Sequence, residues 1–215
     1  MTRKKSRTKQ ATANGCRLPN GIEEEIVAFV YKCALDDAMQ RGANRGAGKM
    51  KLAGNADIKN LVREFVEDLF AGKNPQVMDY ANRISSNVKK ASITFGHIQK
   101  VLNMAAKYMY FACYGRPDIR TGFQTCDCPM DRKMIREVRK EYKKLKGIPP
   151  NKPICEIDDA TCPSAKWRNL SWSTIGFPGD TSHEYYVRFQ KMVRELAKAK
   201  EMIPVEYDFW LWNQP

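Results

Sequence analysis

Lys100, Asn103 and Lys107 recur at spacings of three and four, so on a helix they stack along one side. The rest of the stretch 98–114 is apolar or small, with Val101, Leu102, Ala105, Ala106, Met109, Ala112 and Cys113. Two ammonium groups on such a helix are costly to bury unless they face a cleft or an anion. A lysine amine stripped of water gives up its proton more readily and becomes a nucleophile. The plainer use of the same residues is a pair of stems lying along a surface with their heads in solvent, and periodicity alone does not separate the two. Further along, Cys128-Pro-Met-Asp131 has the form of a helix start, where free N–H groups and the helix dipole favour a carboxylate. A helix-start acid is commonplace. Beside a lysine in a cleft, however, Asp131 can accept a proton or steady a developing cation.

These residues must be positioned by helices. Asn20 and Glu23 resemble a capping box for a helix over 22–41, with Ile22, Ile26, Phe29, Val30, Cys33 and Ala34 as its apolar side. The clearest periodicity is Ile58, Leu61, Val62, Phe65, Val66, Leu69 and Phe70, closed by Gly72. Asn74-Pro75 then reads as a cap with proline at the first helical position, leading to Val77, Tyr80, Ala81, Ile84 and Val88. A short connection over 91–96 joins this helix to the one carrying the lysines. Residues of about 75–114 thus read as a helix–hairpin–helix with Gly96 near the turn. A polar loop is expected over 115–128, and Pro129 opens the next helix. The stretch 154–180, with Trp167 and Trp172, shows no periodicity, and further helices are expected over 182–201 and from Pro204 to Trp212. With no alternating run, repeat or sustained heptad, the class is all-α.

The formal charge of the 215-residue chain is +13, which points to a polyanion partner, nucleic acid first and an anionic membrane second. The stretch 1–17 is a basic arm, leaving 18–215 as a single domain able to form two lobes around a cleft. The helix expected over 132–146 carries Arg132, Lys133, Arg136, Arg139, Lys140, Lys143, Lys144 and Lys146, opposed by Glu137 and Glu141 alone. Arg132, Lys133, Arg136, Arg139 and Lys140 are therefore candidates for phosphate contacts. No apolar run approaches the ~20 residues of a membrane span. The basic start has no apolar segment behind it as a secretory signal would, so reduced cysteines and a cytoplasmic location are expected.

Other constellations fit poorly. Gly42-Ala-Asn-Arg-Gly-Ala-Gly-Lys49 departs from a phosphate-binding loop in its glycine spacing, in having Met50 where Ser or Thr is required, and in following a helix. Cys126, Cys128, Cys155 and Cys162 could supply four thiolates to zinc, but not at the usual pair spacing. His97 and His183 are isolated. A His-rich metal centre is therefore not expected. Phe209, Trp210 and Trp212 either stack on a nucleotide base or pack a core.

The run from Lys100 to Tyr110, followed by Cys128-Pro-Met-Asp131-Arg132, resembles the DNA glycosylases of the helix–hairpin–helix superfamily. It is nearest to the archaeal 8-oxoguanine DNA glycosylase (Agog-type) branch. The resemblance covers about residues 75–145, and the glycine-rich hairpin of the wider superfamily is reduced to Gly96. It implies two helical lobes around a cleft and a monomer acting on DNA with the target nucleotide flipped out. It makes Lys100 the nucleophile, with Asp131 as its carboxylate partner, and requires no metal and no organic cofactor. Asn103 and Lys107, with Phe209, Trp210 and Trp212, would contact the base or its phosphate. The activity implied is excision of a modified base, with or without AP-lyase cleavage, in DNA repair or in defence against phage with modified DNA. The other readings open at this point are a nucleic-acid-binding protein with no chemistry and a thiolate–zinc module.

Overall fold

Eight α-helices and one 3-10 turn, with no strand, make up residues 23–39, 55–87, 93–114, 119–152, 154 and 171–214 that the computed structural model describes. The basic arm 1–17, the glycine-rich loop 42–54, most of the hairpin turn, Cys155, Cys162 and Trp167 lie outside the described residues.

Helix α1 spans Glu23–Met39 and α2 spans Ala56–Phe70. The side chain of Asn55 caps α2 by accepting from the N–H groups of Asp57 and Ile58 at 3.0 and 3.2 Å. Ile58, Leu61, Val62, Phe65, Val66 and Leu69 form its buried side, and Gly72 takes the left-handed φ of 69° that ends it. Helix α3, Val77–Asn87, starts later than Asn74-Pro75 suggests. Asn74 has a φ of 51°, unlike the extended backbone typical of an N-cap, and its Oδ1 instead accepts from the Thr125 hydroxyl at 2.8 Å. The polar loop expected over 115–128 is partly ordered structure: α5, Ile119–Gly122, buries Ile119 and Gly122 against the end of α2.

Helix α4, Phe95–Ala112, is the axis of the molecule, with Thr94 as its N-cap and the Thr94–His97 pair as a capping box. Thirteen of its eighteen residues are buried, so it has partners nearly all round. α1, α2 and α3 pack against it on one side. Helices α6 (Arg132–Leu145), α7 (His183–Ala199) and α8 (Pro204–Trp212) pack on one another. They meet α4 through side chains, such as Phe95 with Tyr186 at a ring separation of 4.9 Å. The chain is therefore all-α, in two groups of helices joined along α4. No helix among the described residues is long and apolar enough to cross a membrane.

Candidate active site

Lys100 lies in the second turn of α4 and Asp131 is the N-cap of α6. One carboxylate oxygen of Asp131 accepts the Met134 N–H at 2.9 Å, and the other lies 3.9 Å from Lys100 Nζ. The two side chains are 11% and 15% exposed, enclosed but within reach of a ligand. Lys100 Nζ also lies 4.7 Å from the ring centroid of Trp172, an attraction of roughly 0.5–2 kcal/mol that offsets part of the cost of enclosing the ammonium.

Trp172 begins the 3-10 turn Trp172–Thr174, whose backbone presses on the first turn of α4. A Cβ on Gly96 would stand 1.8 Å from the Trp172 carbonyl oxygen, so only glycine permits this approach. The turn is fastened by Gly96 N–H donating to Ile175 O at 3.0 Å and by the Thr94 hydroxyl donating to Ser173 O at 2.7 Å. The expected hairpin glycine is thus a glycine of close approach inside the helix.

Two turns along α4, Lys107 Nζ lies 2.5 Å from Asp208 Oδ2 on α8. Asp208 is fully buried, and apart from this ion pair neither of its oxygens accepts a hydrogen bond among the described residues. Its carboxyl is pushed up to about 6, because burial outweighs the pull of Lys107, while Asp131 adds to the rise and Lys100 opposes it. Those mutual effects make Lys100, Asp131, Lys107 and Asp208 one electrostatic cluster. Trp212, one helical turn beyond Asp208, sits 5.8 Å from Lys107 Nζ and 4.5 Å from Lys133 Nζ, ring centroid to nitrogen.

The other expected site residues divide. Asn103 is not on the open side: it is fully buried, and its amide nitrogen faces Gln99 Oε1, Cys128 O and Tyr186 Oη at 3.1, 3.3 and 3.1 Å. Its place as a nucleotide contact is corrected to an internal support of the loop 126–131. Trp212 stands at the cluster, half exposed, whereas Trp210 stacks on Tyr207 and carries Lys200 Nζ 4.0 Å above its ring. Phe209 packs on Phe111, ring centroids 4.4 Å apart, rather than on the lysines. Lys133 turns inward and donates to Trp212 O at 2.9 Å. Arg139 lies over the Tyr185 ring at 5.3 Å, so its guanidinium is not on the outer face with Arg132, Arg136 and Lys140. Glu137 pairs with Arg136 at 2.6 Å and Lys140 at 3.6 Å, which tempers that face without reversing its sign.

Two features reduce the case for thiolate–metal chemistry at the described cysteines. Cys126 and Cys128 are buried thiols whose ionisation burial pushes far upward, and Cys128 Sγ donates to Pro204 O at 2.8 Å. Among the described residues no group of three or more His, Cys, Asp or Glu side chains is placed to hold a metal ion.

Asp208, Gln99 and Gln190 escape sequence reasoning, which notes Trp172 without bringing it to Lys100. Asp208 alone left a signal, an acid set among Tyr207, Phe209, Trp210 and Trp212 that could only be buried with a cation. Compared with family models, with curated proteins and with solved structures, the chain matches none.

Proposed function

We propose that the chain is a DNA N-glycosylase of the helix–hairpin–helix type, with Lys100 as nucleophile and Asp131 as its carboxylate partner. The observation that carries this reading is the pair itself: an enclosed lysine 3.9 Å from an aspartate on another helix, whose second oxygen is already held by that helix. The exposed row Arg132, Arg136, Lys140 and Lys144 supports DNA as the partner, since it runs along α6 from the helix end that bears Asp131. Phosphates held on that row lead a strand toward the lysines.

In the proposed reaction the target nucleotide leaves the stack. The neutral Lys100 amine bonds to the sugar C1′ as the bond from C1′ to the base nitrogen breaks. The base departs with that electron pair and takes up a proton. Asp131 stabilises the positive charge that builds on the sugar and receives the proton lost by the amine. The C1′–O4′ bond then breaks as the nitrogen lone pair forms the C=N bond of a Schiff base, and the ring oxygen takes up the proton held by Asp131. Loss of a C2′ proton would break the C3′–O bond and cut the strand. The neutral amine must come from the resting ion pair, so proton loss from Lys100 belongs to the catalytic cycle. The excised base belongs to the broad class of modified bases, in repair or in defence against phage DNA.

Borohydride reduction in the presence of DNA carrying oxidised, alkylated or phage-type bases tests this. A covalent adduct is expected with the correct base, and Lys100→Ala should abolish it. Full base release by Lys100→Ala would remove Lys100 as nucleophile. Salt-sensitive binding with no abasic product from any of these DNAs would leave a binding protein that uses the α6 row alone.

A further inference from the structure

Asp131 owes its place to a short non-helical segment, 126–131, that is largely buried and pairs with no strand among the described residues. Its peptide groups must be satisfied some other way. Two fully or nearly fully buried glutamines do this, Gln99 on α4 and Gln190 on α7. Gln190 Oε1 accepts the Cys128 N–H at 3.0 Å and its Nε2 donates to Cys128 O at 2.8 Å. Gln99 does the same for Met130, accepting its N–H at 3.3 Å and donating to its carbonyl at 3.2 Å. Pro129, between them, has no N–H to satisfy. Each side-chain amide thus plays the part of a neighbouring strand.

The bonding capacity of Gln99 is full. Its Nε2 also donates to Gly96 O at 3.0 Å and its Oε1 also accepts from Asn103 at 3.1 Å. An amide held at every donor and acceptor has one orientation. Gln99 directly precedes Lys100, and Met130 directly precedes Asp131. A side chain of one helix turn therefore ties the neighbour of the carboxylate to the neighbour of the amine.

We propose that Gln99 and Gln190 are positioning residues that set the separation of Lys100 and Asp131 by pairing, each with one residue, with the backbone of the 126–131 segment. Its catalytic consequence rests on the glycosylase reading; its geometric content does not.

Gln99→Met and Gln190→Met keep the length of the side chain and remove both hydrogen bonds to the segment, and Gln99→Met also removes those to Gly96 and Asn103. In the full-length chain with 13C-methylated lysines, NMR follows the titration of Lys100. Asp131→Asn should lower the Lys100 midpoint in the otherwise native protein, because a carboxylate that favours the ammonium is gone. That response should shrink by at least half when either glutamine is methionine. A response of undiminished size in both variants overturns the proposal. A merely structural role would lower Tm and leave the response intact below the transition. Should Gln99→Met not fold, Gln190→Met, acting from α7 and bonding only Cys128, decides the matter. On a DNA that yields the borohydride adduct, kcat should fall about 10- to 100-fold with DNA affinity unchanged, and an unchanged kcat would count against the proposal. If no DNA yields an adduct with the native protein, the glycosylase reading fails while the titration still judges the positioning role.

Discussion

Two lysine–aspartate pairs sit on the same side of α4, and they are built in opposite ways. In the pair Lys107–Asp208 the ions touch at 2.5 Å, the carboxylate is fully buried, and apart from Lys107 no donor among the described residues reaches it. In the pair Lys100–Asp131 the ions stand 3.9 Å apart, and the carboxylate takes part of its stabilisation from the start of α6 through Met134 N–H. The first pair is mutually dependent, since removing either ion strands the other in the interior. The second is loosely coupled, since Asp131 keeps its helix end and Lys100 keeps Trp172 when they separate. Chemistry needs an amine that can leave its counter-ion. The looser pair has that property, and the tight one fixes the wall beside it.

The sharpest way to break this comparison is to cut the tight pair. Lys107→Met leaves Asp208 buried without a counter-ion and should cost about 3–5 kcal/mol of stability, while the borohydride adduct on Lys100 persists in the folded fraction. A variant that melts like the native protein would show that the pairs are not different in kind. Next comes Asp131→Asn, which removes the charge but keeps a good cap. Base release should fall by about 100- to 1000-fold with Tm nearly unchanged, and Asp131→Ala should add a loss of about 1 kcal/mol from the missing cap. An equal fall in DNA binding for Asp131→Asn would assign Asp131 to structure.

A smaller effect lies in pH. The Asp208 carboxyl ionises at about 6 in the folded protein against an ordinary value of 3.8. The folded state therefore binds more protons than the unfolded chain between those values, and the contribution of Asp208 to stability is lost as pH rises from about 4 to about 6. The difference in Tm between the native protein and Asp208→Asn should decline over that window and level off above it. A flat difference would place the Asp208 carboxyl at its ordinary strength. The smallest effect expected is at the outer face: Arg136→Ala should weaken DNA binding evenly across sequences and lower the salt slope by about 1, whereas Arg139→Ala, whose guanidinium covers Tyr185, should act on stability instead.

The helices were legible because their apolar residues recur at helical spacing, and Asp131 was legible because proline and an acid before such a run mark a start. The lysines were legible as charges on an apolar helix. Asn103 was misread for a geometric reason. At ~100° per residue Lys107 lies about 20° around the helix from Lys100, but Asn103 about 60°, and that turn takes it from the open side to the interior. Gln99 and Gln190 carry no signal, since glutamine on a helix is ordinarily a surface residue and only a buried loop gives it this task. Trp172 was legible as a tryptophan in a segment without periodicity, but not as the neighbour of Lys100, because no spacing rule links residues separated by a long excursion of the chain.

That excursion has a consequence for how the protein comes to life. Thr94 and Ser173, bonded to each other, are 79 positions apart, and between them the chain builds the carboxylate-bearing helix. During synthesis α4 emerges with both lysines in place long before the turn that covers Lys100 or the helix that neutralises Lys107. A half-made chain therefore lacks both the ring that lies against Lys100 and the carboxylate that pairs with Lys107. On the proposed reading, competence for the reaction arrives only when the late segments dock against the glycine at 96, so that a strand can be held before it can be cut.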